Sequence, residues 1–282
     1  MAVKAPFNYI GNKYRIIHSI QEYFPDRIDT FVDLFCGGCD VSINTVANHV
    51  YANDINYHVI GILEEFQKHD VDDLLAYIDK TIKKWQLSKT NEEGYKAFRD
   101  YYNRSRNPLD LYVLMCFSFN YQFRFNSSQD YNNPFGRNRS SFNNVMRNNL
   151  ILFKHQIDNI HFSALDFCDF DYDVLKSGDF LYADPPYLLT CGSYNDGKRG
   201  FKGWSSQDDQ DLLRILTELS DRSVNFALSN VIEHKGATND AIIEWVTANG
   251  YFIHDIRFNY NNCNYHTNNR DNITKEVLIT NY

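Results

Sequence analysis

The chain has 282 residues, 43% hydrophobic and 23% charged, a composition that excludes a disordered or fibrous protein and leaves room for a substantial core. No apolar run approaches the roughly 18 residues needed to cross a bilayer, and the opening MAVKAPFNYIGNK has no apolar signal core, so a cytoplasmic protein without membrane attachment is expected. The net charge of −8 speaks against indiscriminate polyanion binding, and six scattered cysteines suit free thiols better than a disulfide framework.

In chain order, residues 13–24 (KYRIIHSIQEYF) put Ile16, Ile17, Ile20 and Phe24 on one helical face. TFVDLF (30–35) reads as a buried strand, CGGCD as a turn, and a helix is expected from about Val41. HVYAND (49–54) is a second strand ending in an acid, followed by a helix carrying Ile60, Leu63 and Phe66. Strand, helix, strand, helix is the order of a parallel α/β sheet. Helices are then predicted over 71–85, 92–104 and 109–119. Residues 120–144 (NYQFRFNSSQDYNNPFGRNRSSFNN) have almost no aliphatics and read as a functional loop unable to build a core. Strand-like runs return at 160–165, 179–183, 224–229, 250–256 and 276–282, with helices around 207–219 and 239–248. A sheet over 1–69 and 158–282 is thus interrupted by a helical insertion, 70–157. From Arg99 to Lys154 eight basic residues face three acids, about +5 within an acidic chain. A solvated charged face and a phosphate-binding surface both fit that excess.

Three strand ends carry chemistry, because open parallel sheets bind ligands at the carboxyl ends of their strands. In DLFCGGCD (33–40), Gly37 and Gly38 permit a tight turn and close backbone approach to a ligand. A structural turn would look the same. Asp54, 17 residues after Gly37, suits ribose hydroxyls, although a lone Asp there also serves as a helix cap. In LYADPPY (181–187) two prolines fix the direction of Asp184 and of the Pro185 carbonyl and remove two N–H donors. What remains is a pair of acceptors suited to an –NH₂ group, with Tyr187 as a flat ring for stacking a base. Cys36 and Cys39 form a CxxC and Cys263 and His266 a lone CNYH; without a second ligand pair no metal is expected.

These pieces, in this order, resemble the α-class DNA adenine-N6 methyltransferases, the Dam-like or D12 group. FNYIGNKYRII (7–17) is similar to the group's N-terminal Lys-Trp-x-Gly-Gly-Lys element, DLFCGGCDVSIN (33–44) to its cofactor motif, and ANDIN, SALDF, LYADPPY, GFKGWSSQDDQDLL, FALSN and EVLITNY to the segments that follow. The resemblance covers nearly the whole chain. It implies a Rossmann-like sheet that uses S-adenosylmethionine and releases S-adenosylhomocysteine, with an inserted, mainly helical DNA-recognition domain carrying a hairpin. It implies a catalytic set of Asp184, Pro185, Pro186 and Tyr187 around a flipped adenine. Tyr9, Lys13, Phe35, Gly37, Gly38, Asp54, Asp166, Phe167 and Asp184 would border the cofactor. Asn120, Arg124, Asn126, Arg137 and Arg139 become DNA contacts. Double-stranded DNA is the implied partner, a cognate restriction endonuclease a further one, and a monomer acting on DNA in a bacterial or phage-infected cell is expected. Departures are Gly11-Asn12 for Gly-Gly, Cys39 for a small residue, and Asn120-Tyr121-Gln122 in the hairpin, which leaves the recognised DNA sequence open and gives no reason to assume GATC.

N4-cytosine methylation uses the same amine chemistry but goes with Ser before the two prolines. RNA or protein-glutamine methylation goes with Asn there. A DNA-binding regulator without catalysis has no use for an intact DPPY, and a nicotinamide oxidoreductase needs a fuller glycine fingerprint.

Overall fold

The computed structural model describes residues 2–190, 203–256 and 274–282. Cys263, His266 and the Gly200–Lys202 part of the GFKGW segment lie outside those residues.

Five strands run parallel: β1 (Thr30–Asp33), β2 (His49–Asn53), β3 (Ile160–Ser163), β4 (Phe180–Ala183) and β5 (Asn225–His234). β6 (Ala237–Thr238) pairs antiparallel with β5, while β8 (Thr274–Thr280) inserts antiparallel between β5 and β7 (Phe252–Asp255). The order is β3-β2-β1-β4-β5-β8-β7. β1 and β4 are buried at every residue, as strands covered on both faces must be. Phe31 and Phe180 stack across the β1–β4 pair with ring centroids 5.6 Å apart. Each such fully buried ring contributes roughly 1.5–3 kcal/mol. The expected α/β sheet is therefore present. Its strand order reverses between β1 and β4, and in such sheets the reversal opens a crevice.

The helices are α1 (Ile17–Gln21), α2 (Tyr57–Lys68), α3 (Val71–Lys84), α4 (Glu92–Ser105), α5 (Pro108–Cys116), α6 (Asn144–Ile157), α7 (Ser206–Asp221) and α8 (Asp240–Asn249). Asparagines cap α2, α4, α5, α6 and α8, each side-chain oxygen accepting an N–H of the first turn. Ser205 and Asp208 close a reciprocal capping box on α7. No helix among the described residues is long and apolar enough to cross a membrane.

Three expectations change. The first helix is a five-residue piece, yet its apolar residues are buried as anticipated. The expected helix from Val41 is a 3-10 turn, Ser42–Asn44, because Asp33 accepts the Ser42 N–H and hydroxyl and draws the chain back to the sheet. The segment 120–144 does build a core, from aromatics instead of aliphatics. Phe125 and Tyr131 are each 1% exposed, and they belong to the same apolar cluster as Phe7, Val59, Leu74, Tyr112 and Phe153. That cluster runs from the N-terminal segment through α2 to α6, so the helical insertion and the sheet domain share one core.

Candidate active site

The glycine turn, the end of β2 and the end of β4 meet at the strand-order reversal. Asp33 ends β1, and its register partner Tyr182 lies two residues before Asp184. Gly37 has φ +47°, and a Cβ there would lie 2.6 Å from the Tyr9 ring, so that ring covers the turn where only glycine fits. Asp54 Oδ2 accepts the Gly37 N–H at 2.9 Å and its Oδ1 accepts the Asn56 N–H at 2.8 Å. The acid at the end of β2 thus braces the glycine turn and the start of α2 together. Burial pushes its carboxyl above the ordinary range, against those two N–H bonds. Asp166 caps a short 3-10 turn by accepting the Cys168 N–H at 3.0 Å. Behind it Phe167 packs with Phe35 and Trp204, the three centroids 5.4–5.7 Å apart. Trp204 joins this wall through its neighbours, a role its sequence position alone does not reveal.

At the end of β4 four polar side chains converge. Lys13 Nζ lies 2.7 Å from Asp184 Oδ2 and donates to the Tyr187 hydroxyl at 2.9 Å. The Tyr187 hydroxyl lies 2.8 Å from Asp184 Oδ1 and 2.9 Å from Glu276 Oε1. Lys13 also stands 3.5 Å from Glu276 and over the Tyr187 ring, 5.3 Å from its centroid. Gly11 explains part of this: at φ +82° it turns the chain so that its carbonyl accepts from Lys13 Nζ at 3.3 Å, while Asn12 ties back to the Tyr9 carbonyl. Burial disfavours the Lys13 ammonium, but the charges of Asp184 and Glu276 outweigh it and the pKa goes up. Burial also raises Asp184, with Lys13 opposing. Pro185 is buried and Pro186 exposed, so the second proline faces outward. Sequence reading missed Glu276. A lone carboxylate in the last strand carries no motif, and only the antiparallel insertion of β8 beside β5 brings it here.

Asp33 is the other unusual acid. It is 1% exposed, Ser42 occupies its Oδ2, and its Oδ1 has no hydrogen-bond partner among the described residues. Burial, with the charges of Asp184 and Asp54, pushes it to about 7 despite the Ser42 hydrogen bonds. Cys36 and Cys39 are buried thiols within the turn, and no group of three metal-ligating side chains stands together among the described residues.

The remaining predicted residues lie on the hairpin of the insertion, apart from this cluster. Antiparallel bridges join Ser118 to Phe135 and Phe125 to Tyr131 to make that hairpin, and Arg124 is exposed beside the second bridge. Asn126 Oδ1 accepts the Ser128 and Asp130 N–H groups and shapes the hairpin tip. Arg137 pairs with Glu92 of α4. Arg139 covers the Phe119 ring at 5.0 Å and reaches Asn120 Oδ1 at 3.5 Å. Asn8 donates to the Asn120 carbonyl at 3.4 Å, so the N-terminal element that carries Tyr9 and Lys13 touches the base of the hairpin.

A family model for D12 class N6 adenine-specific DNA methyltransferases matches residues 9–261. The chain is 48% identical over 282 residues to the type II methyltransferase M.FokI of Planomicrobium okeanokoites and 46% identical to the modification methylase StsI of Streptococcus sanguinis. In both cases 99% of this chain is covered but 43% of the relative. The modification methylase LlaI of Lactococcus lactis is 35% identical over 90% of this chain and 41% of its own length. The chain therefore spans less than half the length of these curated relatives. Matched along most of its length, the chain belongs to the D12 class N6 adenine-specific DNA methyltransferase family.

Proposed function

We propose that the chain transfers a methyl group from S-adenosylmethionine to N6 of an adenine flipped out of duplex DNA. The observation that carries this is the half-buried carboxylate of Asp184 at the strand-order reversal, beside the glycine turn and held by Lys13 and Tyr187. The residues present fit the donor. The glycine turn leaves no room for side chains, and the orphaned, buried Asp33 oxygen is a ready acceptor for an ammonium. Phe35, Gly37, Gly38, Asp54, Asp166 and Phe167 would hold the donor, with Tyr9 covering the turn. When bound, it would supply an electrophilic methyl group on a positively charged sulfur.

The adenine amine is a poor nucleophile because its lone pair is delocalised into the ring. Asp184 and the Pro185 carbonyl, accepting its two hydrogens, favour a tetrahedral N6 with a localised lone pair. Each carboxylate oxygen has two lone pairs, so Asp184 can accept from the amine without first losing Lys13 or Tyr187. Tyr187 offers its ring for stacking, and Lys13, 2.7 Å from Asp184, favours the ionised carboxylate against its burial. A base paired within a duplex cannot reach such a pocket, which calls for flipping. Positioning of the two reactants supplies much of the rate.

For DNA, Arg124, Asn126, Arg137, Arg139 and Asn120 are the proposed contacts, with Arg and Asn suited to guanine and adenine edges. Relatives named as type II modification enzymes support a role in site-specific modification, alongside a nuclease of the same specificity. The test is to incubate the purified protein with methyl-labelled S-adenosylmethionine and unmethylated plasmid DNA, then digest and chromatograph the nucleosides. Label in N6-methyladenine is expected. Label in N4-methylcytosine, or none in DNA, overturns the reading.

A further inference from the structure

Glu276 has no part in the chemistry above, yet it closes the polar cluster. The Tyr187 hydroxyl makes two short oxygen–oxygen contacts, 2.8 Å to Asp184 and 2.9 Å to Glu276. Contacts of that length are hydrogen bonds, and each needs a proton. The tyrosine owns one. Lys13 cannot supply the other, because its nearest donations go to Asp184 Oδ2 and to the Tyr187 oxygen itself. The charge count agrees: two carboxylates face one ammonium, so the cluster reaches neutrality by taking up one proton. Lys13, Asp184, Tyr187 and, behind them, Tyr182 are the titratable groups facing Glu276 from the N-terminal segment and from β4 and its end.

We infer that Asp184, Tyr187 and Glu276 form a proton relay that carries the proton lost by the methylated amine from Asp184 to Glu276. The inference rests on the adenine-N6 reading above. As the N6–methyl bond forms from the N6 lone pair, the carbon–sulfur bond breaks and leaves its electron pair on sulfur. N6 then carries the positive charge and one hydrogen too many. That proton passes to the Asp184 carboxylate. Glu276, which holds the cluster's extra proton at rest, first gives it up to solvent, its side chain being 19% exposed, and the Tyr187 hydroxyl then gives its proton to the Glu276 carboxylate and takes the one from Asp184. Asp184, Tyr187 and the neutral Glu276 acid are thereby restored, and the proton lost by the amine is matched by the one released to solvent. Glu276 is thus a positioning and proton-accepting residue that acts through Tyr187.

The test uses E276Q, E276D, Y187F and the double variant Y187F/E276Q. In single-turnover transfer to unmethylated plasmid DNA, E276Q is expected to slow the reaction on the order of 100-fold. Its S-adenosylmethionine affinity and melting temperature should stay at wild-type values, with partial recovery in E276D. The double variant should be no slower than the slower single. Wild-type transfer reports the preceding reading by itself, since it involves no substitution. A second measurement needs neither donor nor DNA: infrared titration of the protein alone should show a protonated-carboxyl band that both E276Q and Y187F remove. Full-rate transfer by E276Q, losses that multiply in the double variant, or a carboxyl band indifferent to both substitutions would each overturn the relay.

Discussion

Beyond the end of the fully buried β4, Lys13, Asp184, Tyr187 and Glu276 meet through charged hydrogen bonds. In the hairpin of the insertion the shape comes from rings. Phe125 stacks on His58 with centroids 3.9 Å apart, Tyr131 meets Tyr102 edge-on at 6.2 Å, and the Tyr95 hydroxyl donates to the Asn133 carbonyl at 2.9 Å. The first region has one arrangement because each polar group has a specific partner in a low-dielectric place. The second has an exposed face that can vary, because its inner face alone decides the fold. On the proposed reading, the first region suits a methyl-transfer centre, which needs one geometry, and the second a DNA-reading surface, which can differ from one target site to another.

The two regions should also respond to acid in opposite directions. Asp33 is held at about 7 in the folded protein, above the ordinary 3.8. Between those values the folded chain keeps a proton that the unfolded chain has lost, so this group's contribution to stability falls as pH rises through the window. His58, in the first turn of α2, is buried against the hairpin, and burial lowers it from 6.5 to about 4, against the Gln129 hydrogen bond. Its contribution is present above 6.5 and is lost as pH falls toward 4. Gln129 Oε1 only accepts, so His58 Nε2 carries the hydrogen and Nδ1 faces the Tyr102 hydroxyl, an arrangement that exists only in the neutral ring.

The largest separation of the two regions should come from Asp184→Ala. Methyl transfer should fall by about 1,000-fold or more, with DNA binding in a gel-shift assay retained; loss of both together would mean that the strand end also shapes the hairpin. Next is Phe125→Ala, which should cost about 3–5 kcal/mol and abolish DNA binding while calorimetry still detects S-adenosylmethionine. Gly136→Ala is a related case, since an added Cβ would lie 2.2 Å from Ser140 Oγ and 2.7 Å from the Ser118 carbonyl. In thermal melts, Asp33→Asn should flatten the stability profile between pH 4 and 7, where the wild-type change attributable to Asp33 is at most about 4 kcal/mol. His58→Phe keeps a ring against Phe125 and should remove the opposite slope below pH 6.5, a change of at most about 3 kcal/mol, visible as hairpin amide exchange that no longer quickens in acid. Smallest is Arg124→Ala, which should alter site choice or lower the salt slope by about 1 while labelling of a preferred site persists at saturating DNA; unchanged specificity and salt slope would remove Arg124 from the DNA-reading set.

Much of the cluster at the ends of β1, β2 and β4 was legible in the sequence because its constraints are local. Two prolines, an acid, an aromatic and a glycine turn announce themselves in runs of a few residues. The hairpin was misread as coreless because aliphatic content was taken as the measure of burial. Tyr131 and Tyr95 bury their rings and still satisfy their hydroxyls, on the carbonyls of Gln122 and Asn133. Asp54 was read as a ribose ligand or a helix cap, while in the fold its two oxygens brace both the glycine turn and the start of α2.

By itself the sequence determined the alternation of strands and helices, the strand ends where acids and glycines gather, and the family to which those motifs belong. The tertiary structure decided that Asp184 is held by Lys13 and Tyr187, that Asp33 keeps a buried oxygen without a partner among the described residues, and that Glu276 completes the cluster from β8. The reason is distance along the chain. Lys13 and Glu276 are more than 250 residues apart and carry no mutual signal, and only the packing of an N-terminal turn and an antiparallel last strand against the end of β4 brings them to one hydroxyl.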